Sequence, residues 1–450
     1  MINTLVTIGP SSLNDTDIKY FSRKTNLFRL NGSHSDLEWH KSAILKIRKF
    51  SPDAFILMDI PGVKPRTNNI DVLKIEKGQK VSFGFESGIE CDLHIDLTKN
   101  IPIIDCSPST FSLNDGQFLF DTTESGNGFI VGRSRDAFEL LPRKGINLPG
   151  SLYDENQQFE IYKDFIKKID GLDIDGLGLS FVQTGELVSK LKEIVPDLAL
   201  VSKIENSEGF RNCSEISKKS DAIMIDRGDL VAEIGFKDLF RGIETISIAA
   251  KSFGRPLIMA TENLESMINR ELPSKSEVMS LAHSASLGVD CIMLSEETAL
   301  SSNAKAIVGW LTDFLDQSFD LKILDKLKPP LGKYYQIWDA LERLQDLPVM
   351  VMSKSGYAVF NYFSRVPNGS LTLVTENKKI IRVSKLFRNK INIIKTNVQD
   401  NIPIETIINT ANLNKEKVFR GSKQIVAIYV SQYVNTPRAN CLTILSSDDF

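Results

Sequence analysis

Cysteine and histidine are scarce in this sequence. Only five cysteines and four histidines occur among 450 residues. No Cys-x-x-Cys pair is present and no histidine stands at metal-ligand spacing, so we expect neither a disulfide framework nor a structural zinc site. The cysteines are widely scattered, at Cys91, Cys106, Cys213, Cys291 and Cys441.

Long apolar runs and an excess of one charge are also absent. No apolar stretch approaches the ~18 residues of a membrane-spanning helix, and the first residues lack the basic and apolar segments of a signal peptide. Lysine and arginine number 54 against 57 aspartates and glutamates, a net charge of −3. Such a balanced chain has no net positive electrostatic field that would bind nucleic acid or anionic lipid nonspecifically. We therefore expect a soluble cytoplasmic enzyme of two or three domains, with neither nucleic acid nor membrane as a partner.

Short, continuously apolar runs recur along the chain and alternate with segments of helical period. Such runs are typical of parallel strands that are buried on both faces. Eight strands alternating with helices predict an α/β fold, the (β/α)8 TIM barrel, whose chemistry lies at the C-terminal ends of the strands. The eight runs are Thr4–Ile8, Asn26–Leu30, Ala54–Ile60, Gly176–Phe181, Leu198–Ile204, Ala222–Ile225, Pro256–Ala260 and Cys291–Leu294.

Two segments interrupt this alternation. Residues 72–143 contain strand-like runs separated by turn signals, which predict an inserted β-rich domain placed as a lid over the barrel. A linker containing Pro329 and Pro330 leads into a smaller unit of strands and helices. We therefore predict a barrel over 1–71 and 144–325, a lid over 72–143, and a reduced C-terminal α/β domain over 326–450.

Residues of complementary chemistry stand at the ends of the predicted strands. Arg29 is a fixed cation with a planar fork suited to phosphate. Alternation along the fifth strand puts Lys203 and Glu205 on the same side of that strand. Carboxylates suit a hard divalent ion and hydroxyls can carry protons. The strand-end candidates are Arg29, Asn31, Ser33, Asp59, Lys64, Arg66, Lys203, Glu205, Asp229, Thr261 and Ser295.

Each of these residues alone has a structural explanation. A Lys-x-Glu pair on a strand is usually an ion pair, and Ser33 and Thr261 alone would be helix N-caps. His34 alone would be a hydrogen-bonding loop residue. Barrel geometry nevertheless brings all the strand ends to one mouth. The residues therefore predict a metal-assisted enzyme that acts on a phosphorylated anion.

Several motifs resemble those of the pyruvate kinase family, in the order and spacing of that family. The resemblance is specific over the barrel, extends into the inserted domain and is faint after about residue 330. The motifs are Thr7–Ser12, Phe28–His34, Ser202–Asn206, Arg227–Leu230, Ala260-Thr261 with Leu264–Met267, Cys291–Ser295, Asn114-Asp115-Gly116 and Lys144–Gly150.

The resemblance implies transfer of a phosphoryl group from phosphoenolpyruvate to ADP, which gives pyruvate and ATP. Glu205 and Asp229 would hold Mg²⁺, the implied cofactor. Arg29 and Lys203 would neutralise the charge of the phosphoryl group in a loose, in-line transition state.

Further roles follow from the same resemblance. The amides of Gly228 and Asp229 and the hydroxyl of Thr261 would receive the substrate carboxylate. Thr261 and Ser295 would lie on the route of the proton to the enolate. The residues that would bind the nucleotide are Pro10, Asn31, His34, Arg66 and Lys144.

A monovalent cation is the second cofactor that the family suggests. The resemblance places K⁺ among Asn31, Ser33 and Asp59. Members that need K⁺ carry Glu where this chain has Lys64, whereas K⁺-independent members carry Lys. We therefore predict a K⁺-independent site in which the Lys64 ammonium supplies the fixed charge.

Some positions depart from the family pattern. Asp226, Glu262 and Glu296 add carboxylates near the mouth, where they would repel an anionic substrate unless they point into the helix layer. In the C-terminal unit, Ser353-Lys354-Ser355-Gly356 resembles the start of the family's effector site, but Tyr357 and Ala358 follow where the family has Arg and then Ser or Thr. The loop over 431–438 does not resemble the loop that closes over the effector in the family. We expect no activation by fructose bisphosphate.

Three functions stay open at this point. The first is an active pyruvate kinase, which by resemblance would be a homo-oligomer. The second is an enzyme of the same fold that acts on a different phospho-enol or 2-oxo acid. The third is a non-catalytic regulatory homologue.

Overall fold

The structure of the chain is a computed structural model. It describes residues 2–85, 90–99, 101, 103–104, 108–114, 116–126, 128–317, 319–330, 334–344, 346–388, 391–399, 402–430 and 438–449. Three features singled out in the sequence lie outside these residues: Cys106, Asp115 and the loop over 431–437.

Eight parallel strands close into a barrel in which each strand pairs with the next along the chain and the last pairs with the first. The predicted TIM barrel is therefore confirmed, and each of its strands overlaps a predicted run. The strands span Asn3–Thr7, Leu27–Asn31, Phe55–Ile60, Gly176–Leu179, Ala199–Ile204, Ala222–Asp226, Leu257–Ala260 and Cys291–Leu294.

The helices of the barrel pack around these strands and bury their apolar faces. Local signals set several of their ends: Asn14 Oδ1 accepts the Asp17 amide at 3.0 Å, and Ser274 and Glu277 form a capping box. The α-helices span Asp15–Lys24, Leu37–Phe50, Glu155–Lys168, Gly185–Ile194, Ser207–Arg211, Cys213–Lys219, Arg227–Ile234, Phe236–Ser252, Lys275–Ser286, Glu296–Ala299 and Ala304–Leu315, and Glu265–Ile268 is a 3-10 helix.

Alternate residues of each barrel strand point inward. On the fifth strand Ala199 and Val201 are buried inside the barrel, and on the sixth strand Ala222 and Met224 are buried in the same cluster. Continuing the alternation brings Lys203 and Asp226 to the mouth on the inward side. The strands that form the interior core therefore also position the polar groups of the site.

The inserted domain is a small, mostly antiparallel β unit with its own core. The rings of Phe83, Phe111 and Phe120 pack against one another, with centroids 5.0 to 5.6 Å apart. Its six-stranded sheet runs in the order Ile146–Asn147, Thr110–Leu113, Phe118–Gly126, Phe129–Ser134, Lys80–Gly84 and Leu93–Ile95. Two short pairs join Leu73–Ile75 to Phe138–Leu140 and Ile103–Ile104 to Ser151–Leu152.

The C-terminal unit is a five-stranded sheet with helices, as an α/β domain requires. Four of its strands pair in parallel and span Val349–Met352, Leu371–Val374, Asn392–Ile394 and Gln424–Tyr429. The fifth, Cys441–Ser446, pairs antiparallel at the edge of the sheet and was not predicted. The α-helices are Tyr335–Glu342, Tyr357–Arg365, Lys378–Ser384, Ile404–Leu413 and Lys415–Phe419, with 3-10 helices at Leu324–Lys326 and Ser447–Asp449.

The C-terminal unit packs against the end of the barrel away from the mouth. Buried side chains of both units share one apolar cluster, and the Arg255 guanidinium lies 3.9 Å from the ring centroid of Phe360. Across the residues that the structure describes, no helix combines the length and the hydropathy needed to span a membrane.

Candidate active site

Arg29 and Asp59 form a buried ion pair across the second and third barrel strands. The Nε and Nη2 atoms of Arg29 donate to Asp59 Oδ2 at 2.9 and 2.8 Å, and Nη1 donates to Thr7 Oγ1 at 3.2 Å. Gly178 makes room for this carboxylate, because a Cβ at that position would lie 2.0 Å from Asp59 Oδ1. The pair fixes the guanidinium fork at the mouth of the barrel.

Lys203 is surrounded by carboxylates. Its Nζ atom lies 2.9 Å from Glu205 Oε2, 3.4 Å from Asp226 Oδ2 and 3.9 Å from Asp59 Oδ2. Burial disfavours the charged form, but the negative charges of Glu205, Asp226 and Asp59 outweigh it and raise the pKa of Lys203 above its ordinary value. The residue is therefore a fixed ammonium at neutral pH.

Glu205 is fully buried. Its Oε1 atom accepts the Phe181 amide at 2.7 Å, and Phe181 has a left-handed φ of 62°. Its Oε2 atom is in an ion pair with Lys203 but accepts no hydrogen bond of normal geometry. Burial raises the pKa of Glu205 to about 8, against the opposing charge of Lys203.

Asp229 is held by one residue from the lid connection and one from the lid sheet. Lys64 Nζ donates to Asp229 Oδ1 at 2.5 Å, and Asn147 Nδ2 donates to the same oxygen at 3.3 Å. Burial opposes ionisation, but the ammonium of Lys64 and then that of Lys203 hold the pKa of Asp229 below its usual value. The second predicted metal ligand is therefore an anion that contacts the lid.

Three carboxylates come together at this mouth. Glu205, Asp226 and Asp229 each offer an oxygen that lies within 4.8 Å of the others. Hard divalent cations such as Mg²⁺ take oxygen ligands of this kind, and Oε2 of Glu205 already faces a positive charge, the Lys203 ammonium at 2.9 Å. The residues therefore fit Mg²⁺, and Asp226 lies beside the two ligands that the sequence predicts.

Thr261 connects the sixth and seventh strand ends. Its hydroxyl oxygen accepts hydrogen bonds from the backbone amides of Arg227, at 3.1 Å, and Gly228, at 3.2 Å. The same hydroxyl group donates to Asp226 Oδ1 at 3.1 Å. Its φ is 59°, a conformation that β-branched residues rarely adopt. The Gly228 amide predicted to receive a substrate carboxylate thus faces the Thr261 hydroxyl.

Ser295 directly follows the eighth strand, and alternation from Cys291 and Met293 places it on the inward side of the barrel. Its Oγ atom is buried and has no hydrogen-bond partner among the described residues. Its amide donates to Glu297 Oε2 at 2.6 Å, and Leu264 donates to the other oxygen of Glu297 at 3.2 Å. Glu297 therefore fixes this loop.

The predicted nucleotide residues lie on the outer side of the mouth. Pro10, His34 and Arg66 are exposed as residues. Partial desolvation of the His34 ring and, after it, the positive charge of Arg66 lower the pKa of His34. The Asn31 side-chain oxygen accepts the Ser33 amide at 3.1 Å. The Lys144 amide donates to Thr67 Oγ1 at 3.0 Å, which places Lys144 where the lid returns to the barrel.

Comparison with known proteins decides the family. Residues 2–306 match the family model described as "Pyruvate kinase, barrel domain". The chain belongs to the pyruvate kinase family. This membership and the shared fold make the chain a pyruvate kinase-like phosphotransferase.

Relatives and solved structures of pyruvate kinases cover different shares of the chain. The cytosolic isozyme of Nicotiana tabacum is 31% identical over 320 residues, which are 67% of this chain and 63% of that protein. The enzyme of Methanocaldococcus jannaschii is 26% identical, and 98% of each chain is aligned. A crystal structure from Cryptosporidium parvum, 25% identical, gives a TM-score of 0.78 over 99% of this chain and 96% of that one.

The structure also shows where the departures from the pyruvate kinase pattern lie. Asp226 points into the mouth, whereas Glu262 and Glu296 are exposed. Lys64 contacts Asp229, so its ammonium lies beside a predicted Mg²⁺ ligand. The alternation of the sixth strand places Asp226 on the inward side with Met224, and this is the sequence signal that identifies it as a site residue.

Proposed function

We propose that the chain transfers the phosphoryl group of phosphoenolpyruvate to ADP, with Mg²⁺. The observation that carries this proposal is the buried Lys203 ammonium, 2.9 Å from Glu205 and facing the Arg29–Asp59 pair. Family membership supports it. A fixed cation in a water-poor site stabilises charge that develops on a transferred phosphoryl group.

The substrate anion would bind between the strand ends. Arg29 and Lys203 face its phosphoryl group, and the amides of Gly228 and Asp229 with the Thr261 hydroxyl receive its carboxylate. The Gly228 amide donates to the Thr261 hydroxyl at 3.2 Å, and a substrate carboxylate would be a stronger, charged acceptor for the same amide. Glu205 and Asp229 would hold Mg²⁺, which neutralises phosphoryl charge when bound.

The chemical step transfers one phosphoryl group and one proton. A terminal oxygen of ADP forms a bond to phosphorus as the bond from phosphorus to the enol oxygen breaks. Lys203 stabilises the enolate oxygen that results. Thr261 and Ser295 then pass a proton from water to the enolate methylene group, which gives pyruvate, and the buried unpartnered Ser295 hydroxyl supports this route.

The nucleotide would lie on the outer side of the mouth, under the lid. Pro10, Asn31, His34, Arg66 and Lys144 are the residues proposed to bind it. Asn147 already joins the lid sheet to Asp229 at 3.3 Å. Closure of the lid over the nucleotide would exclude water and favour transfer to ADP over hydrolysis.

We propose that the site works without K⁺. Asn31 and Asp59 are register neighbours on adjacent strands, but Asp59 already binds Arg29. The Lys64 ammonium at 2.5 Å from Asp229 is a fixed charge of the chain itself. K⁺ at Asn31, Ser33 and Asp59 is therefore dispensable in this proposal.

Self-association and a cytoplasmic location complete the proposal. Phe236, Phe240 and Met279 are exposed, and Phe240 stacks on His283 at 5.1 Å. This apolar patch suits a second copy of the chain, and light scattering after gel filtration should show an oligomer that Phe240→Asp weakens. The tobacco relative is named a cytosolic isozyme, which supports the location.

A second candidate function has one observation in its favour. Asp226 Oδ1 lies 3.1 Å from the Thr261 hydroxyl, so a carboxylate faces the place proposed for the substrate carboxylate. Like charges repel there, which favours another phospho-enol or 2-oxo acid with a hydrogen-bond donor. No observation favours a non-catalytic role.

Coupled turnover tests these candidates. Pyruvate release from phosphoenolpyruvate and ADP with Mg²⁺ is followed through lactate dehydrogenase. Turnover on the order of ten per second or more supports the first candidate. Absence of turnover, with turnover of another phospho-enol acid in a phosphate-release screen, supports the second.

A further inference from the structure

Phe181 lies between Glu205 and the two lid connections, the segments 61–71 and 144–153 that join the lid to the barrel. It follows the fourth barrel strand closely and is 4% exposed. Its backbone amide donates to Glu205 Oε1 at 2.7 Å. Its φ of 62° lies in the left-handed region, which is unfavourable for a residue with a side chain. Neighbouring groups must therefore hold Phe181 in this conformation.

The ring of Phe181 packs against both lid connections. On the return connection, the ring centroid of Tyr153 lies 5.5 Å from that of Phe181, in an edge-to-face contact. Tyr153 directly follows Ser151–Leu152, a short strand that pairs with the lid. On the outgoing connection, Val63 belongs to the same apolar cluster, and a Cβ on Gly62 would lie 2.8 Å from Phe181 Cδ2. The ring is therefore held from both sides.

The loop after the fourth strand also makes polar contacts in both directions. The Gln183 side chain accepts from the Tyr153 amide at 2.9 Å and donates to the Tyr153 carbonyl at 2.8 Å. Ser180 Oγ donates at 2.9 Å to the carbonyl of Ile60, where the outgoing connection begins. The same Oγ atom accepts from Lys203 Nζ at 3.5 Å. One short loop therefore contacts both lid connections and the buried ammonium of the site.

The backbone links the ring of Phe181 to the direction of its amide. Gln158 Nε2 donates to the carbonyl of Phe181 at 2.8 Å and fixes that side of the residue. The peptide unit is planar, so φ alone sets the direction of the amide relative to the side chain. A ring held by the lid connections thus also fixes the direction in which the amide meets Glu205.

We propose that Phe181 is a positioning residue through which the two lid connections hold the Glu205 carboxyl group in place. The inference rests on the proposed function, because Glu205 is taken there as a ligand of Mg²⁺. Donors that orient a metal ligand typically change metal affinity by about 10- to 100-fold when they are lost. A change in the lid connections thus reaches the predicted metal ligand through one ring and one amide.

Hydrogen exchange of the Phe181 amide in the full chain tests the proposal. The chain has 25 phenylalanines, so ¹⁵N-phenylalanine labelling gives a small set of amide signals, and Phe181→Leu identifies the one that belongs to Phe181. We expect slow exchange in the wild type and exchange about tenfold faster or more in Tyr153→Leu, relative to the other phenylalanine amides of the barrel. Tyr153→Phe keeps the ring and should exchange as the wild type does.

Tyr362→Leu is the matched control for Tyr153→Leu. Tyr362 is also buried, and its ring lies edge to face with that of Phe363, with centroids 5.1 Å apart, in the C-terminal unit. This variant loses a similar ring pair away from the mouth, so the Phe181 amide should exchange at the wild-type rate. An unprotected Phe181 amide in the wild type, or equal acceleration in both variants, would overturn the proposal.

Gly62→Ala decides the matter if Tyr153→Leu does not fold. The added methyl group, 2.8 Å from Phe181 Cδ2, displaces the ring without removing any apolar surface. We expect the Phe181 amide to exchange faster in this variant as well. In the control Gly309→Ala, a methyl group would lie 2.8 Å from Tyr20 Oη in the helix layer, and exchange should not change. Exchange at the wild-type rate in Gly62→Ala or in folded Tyr153→Leu would refute the role of Phe181.

The Mg²⁺ requirement of turnover separates this inference from the proposed function. Tyr153→Leu should need about tenfold more Mg²⁺ for half-maximal turnover of phosphoenolpyruvate and ADP, with a smaller effect on kcat at saturating Mg²⁺, whereas Tyr362→Leu should match the wild type. Faster exchange in a chain without turnover refutes the function and supports the role of Phe181. Turnover with an unchanged Mg²⁺ requirement in Tyr153→Leu supports the function and overturns that role.

Discussion

Gly178 lies directly against Asp59, on the fourth and third strands of the barrel. A Cβ at position 178 would come within 2.0 Å of Asp59 Oδ1, while the other oxygen of Asp59 holds Arg29 at 2.8 Å. Because Gly178 has no side chain, Asp59 can occupy this place and hold Arg29, a cation of the proposed phosphoryl site.

Gly178→Ala should therefore damage both stability and turnover. The methyl group must displace Asp59, and with it Arg29, so we expect a loss of about 1–3 kcal/mol in the free energy of unfolding and a fall in kcat of about a hundredfold. Urea denaturation and coupled turnover measure the two effects.

Gly171→Ala is the matched control for this substitution. Gly171 has a φ of 78° and, its chain neighbours aside, no described atom within 4 Å of its Cβ position, so alanine there costs about 1–2 kcal/mol through the left-handed backbone alone. Turnover should stay at the wild-type level. Equal loss of turnover in both variants would show that the effect of Gly178→Ala is not local to Asp59.

Lys64→Glu should change the monovalent-cation requirement. The substitution removes the ammonium from Asp229 and introduces the residue that K⁺-dependent relatives carry. We expect the wild type to turn over equally in Na⁺ and K⁺ at constant ionic strength, and the variant to be about tenfold more active in K⁺.

The control for this experiment is Lys77→Glu, which makes the same charge change at an exposed lid residue. It should leave the ratio of the rates in the two salts unchanged. A wild type that is strongly activated by K⁺ would refute the role given to Lys64.

Glu233→Gln should stabilise the chain at alkaline pH. Burial raises the pKa of Glu233 to about 8, and its Oε1 atom is buried without a hydrogen-bond partner in the described part of the chain. Between the unfolded value and about pH 8 the folded chain binds the proton that the unfolded chain has lost. Stability therefore falls as the pH rises through this window, by up to about 1.4 kcal/mol per pH unit.

Denaturation of both chains across this pH window tests the point. The free energy of unfolding of the wild type should fall relative to that of Glu233→Gln as the pH rises from about 5 to about 8. Glu193→Gln, at an exposed position, is the control and should run parallel to the wild type. A constant difference between Glu233→Gln and the wild type would show that Glu233 does not titrate in this window.

The barrel could be predicted from the sequence because its strands are buried on both faces. Leu257–Ala260 and Cys291–Leu294 are apolar on the core side and on the helix side alike, so each appears as an uninterrupted apolar run. The edge strand Cys441–Ser446 is half-exposed and mixes apolar with polar residues. It therefore gives no such signal.

The site could be predicted in its parts but not in its contacts. Strand-end positions identify Lys203 and Glu205, and alternation puts them together at 2.9 Å. Lys64, by contrast, contacts Asp229, which lies 165 positions further along the chain. Only the folded structure shows that these two residues meet. To predict that Asp226 lies at the mouth, one has to know which way its side chain points, and alternation along the strand from Met224 could have given that direction.

Coupled turnover of phosphoenolpyruvate and ADP by the wild type beside Lys203→Met tests the central claim most directly. Two controls accompany it: Lys203→Arg keeps the charge, and Lys251→Met removes a buried ammonium that pairs with Asp290 at the other end of the barrel. We predict that Lys203→Met lowers kcat by about a thousandfold, while Lys251→Met, where it folds, keeps wild-type turnover. Lys203→Met turnover within about tenfold of the wild type would contradict the account.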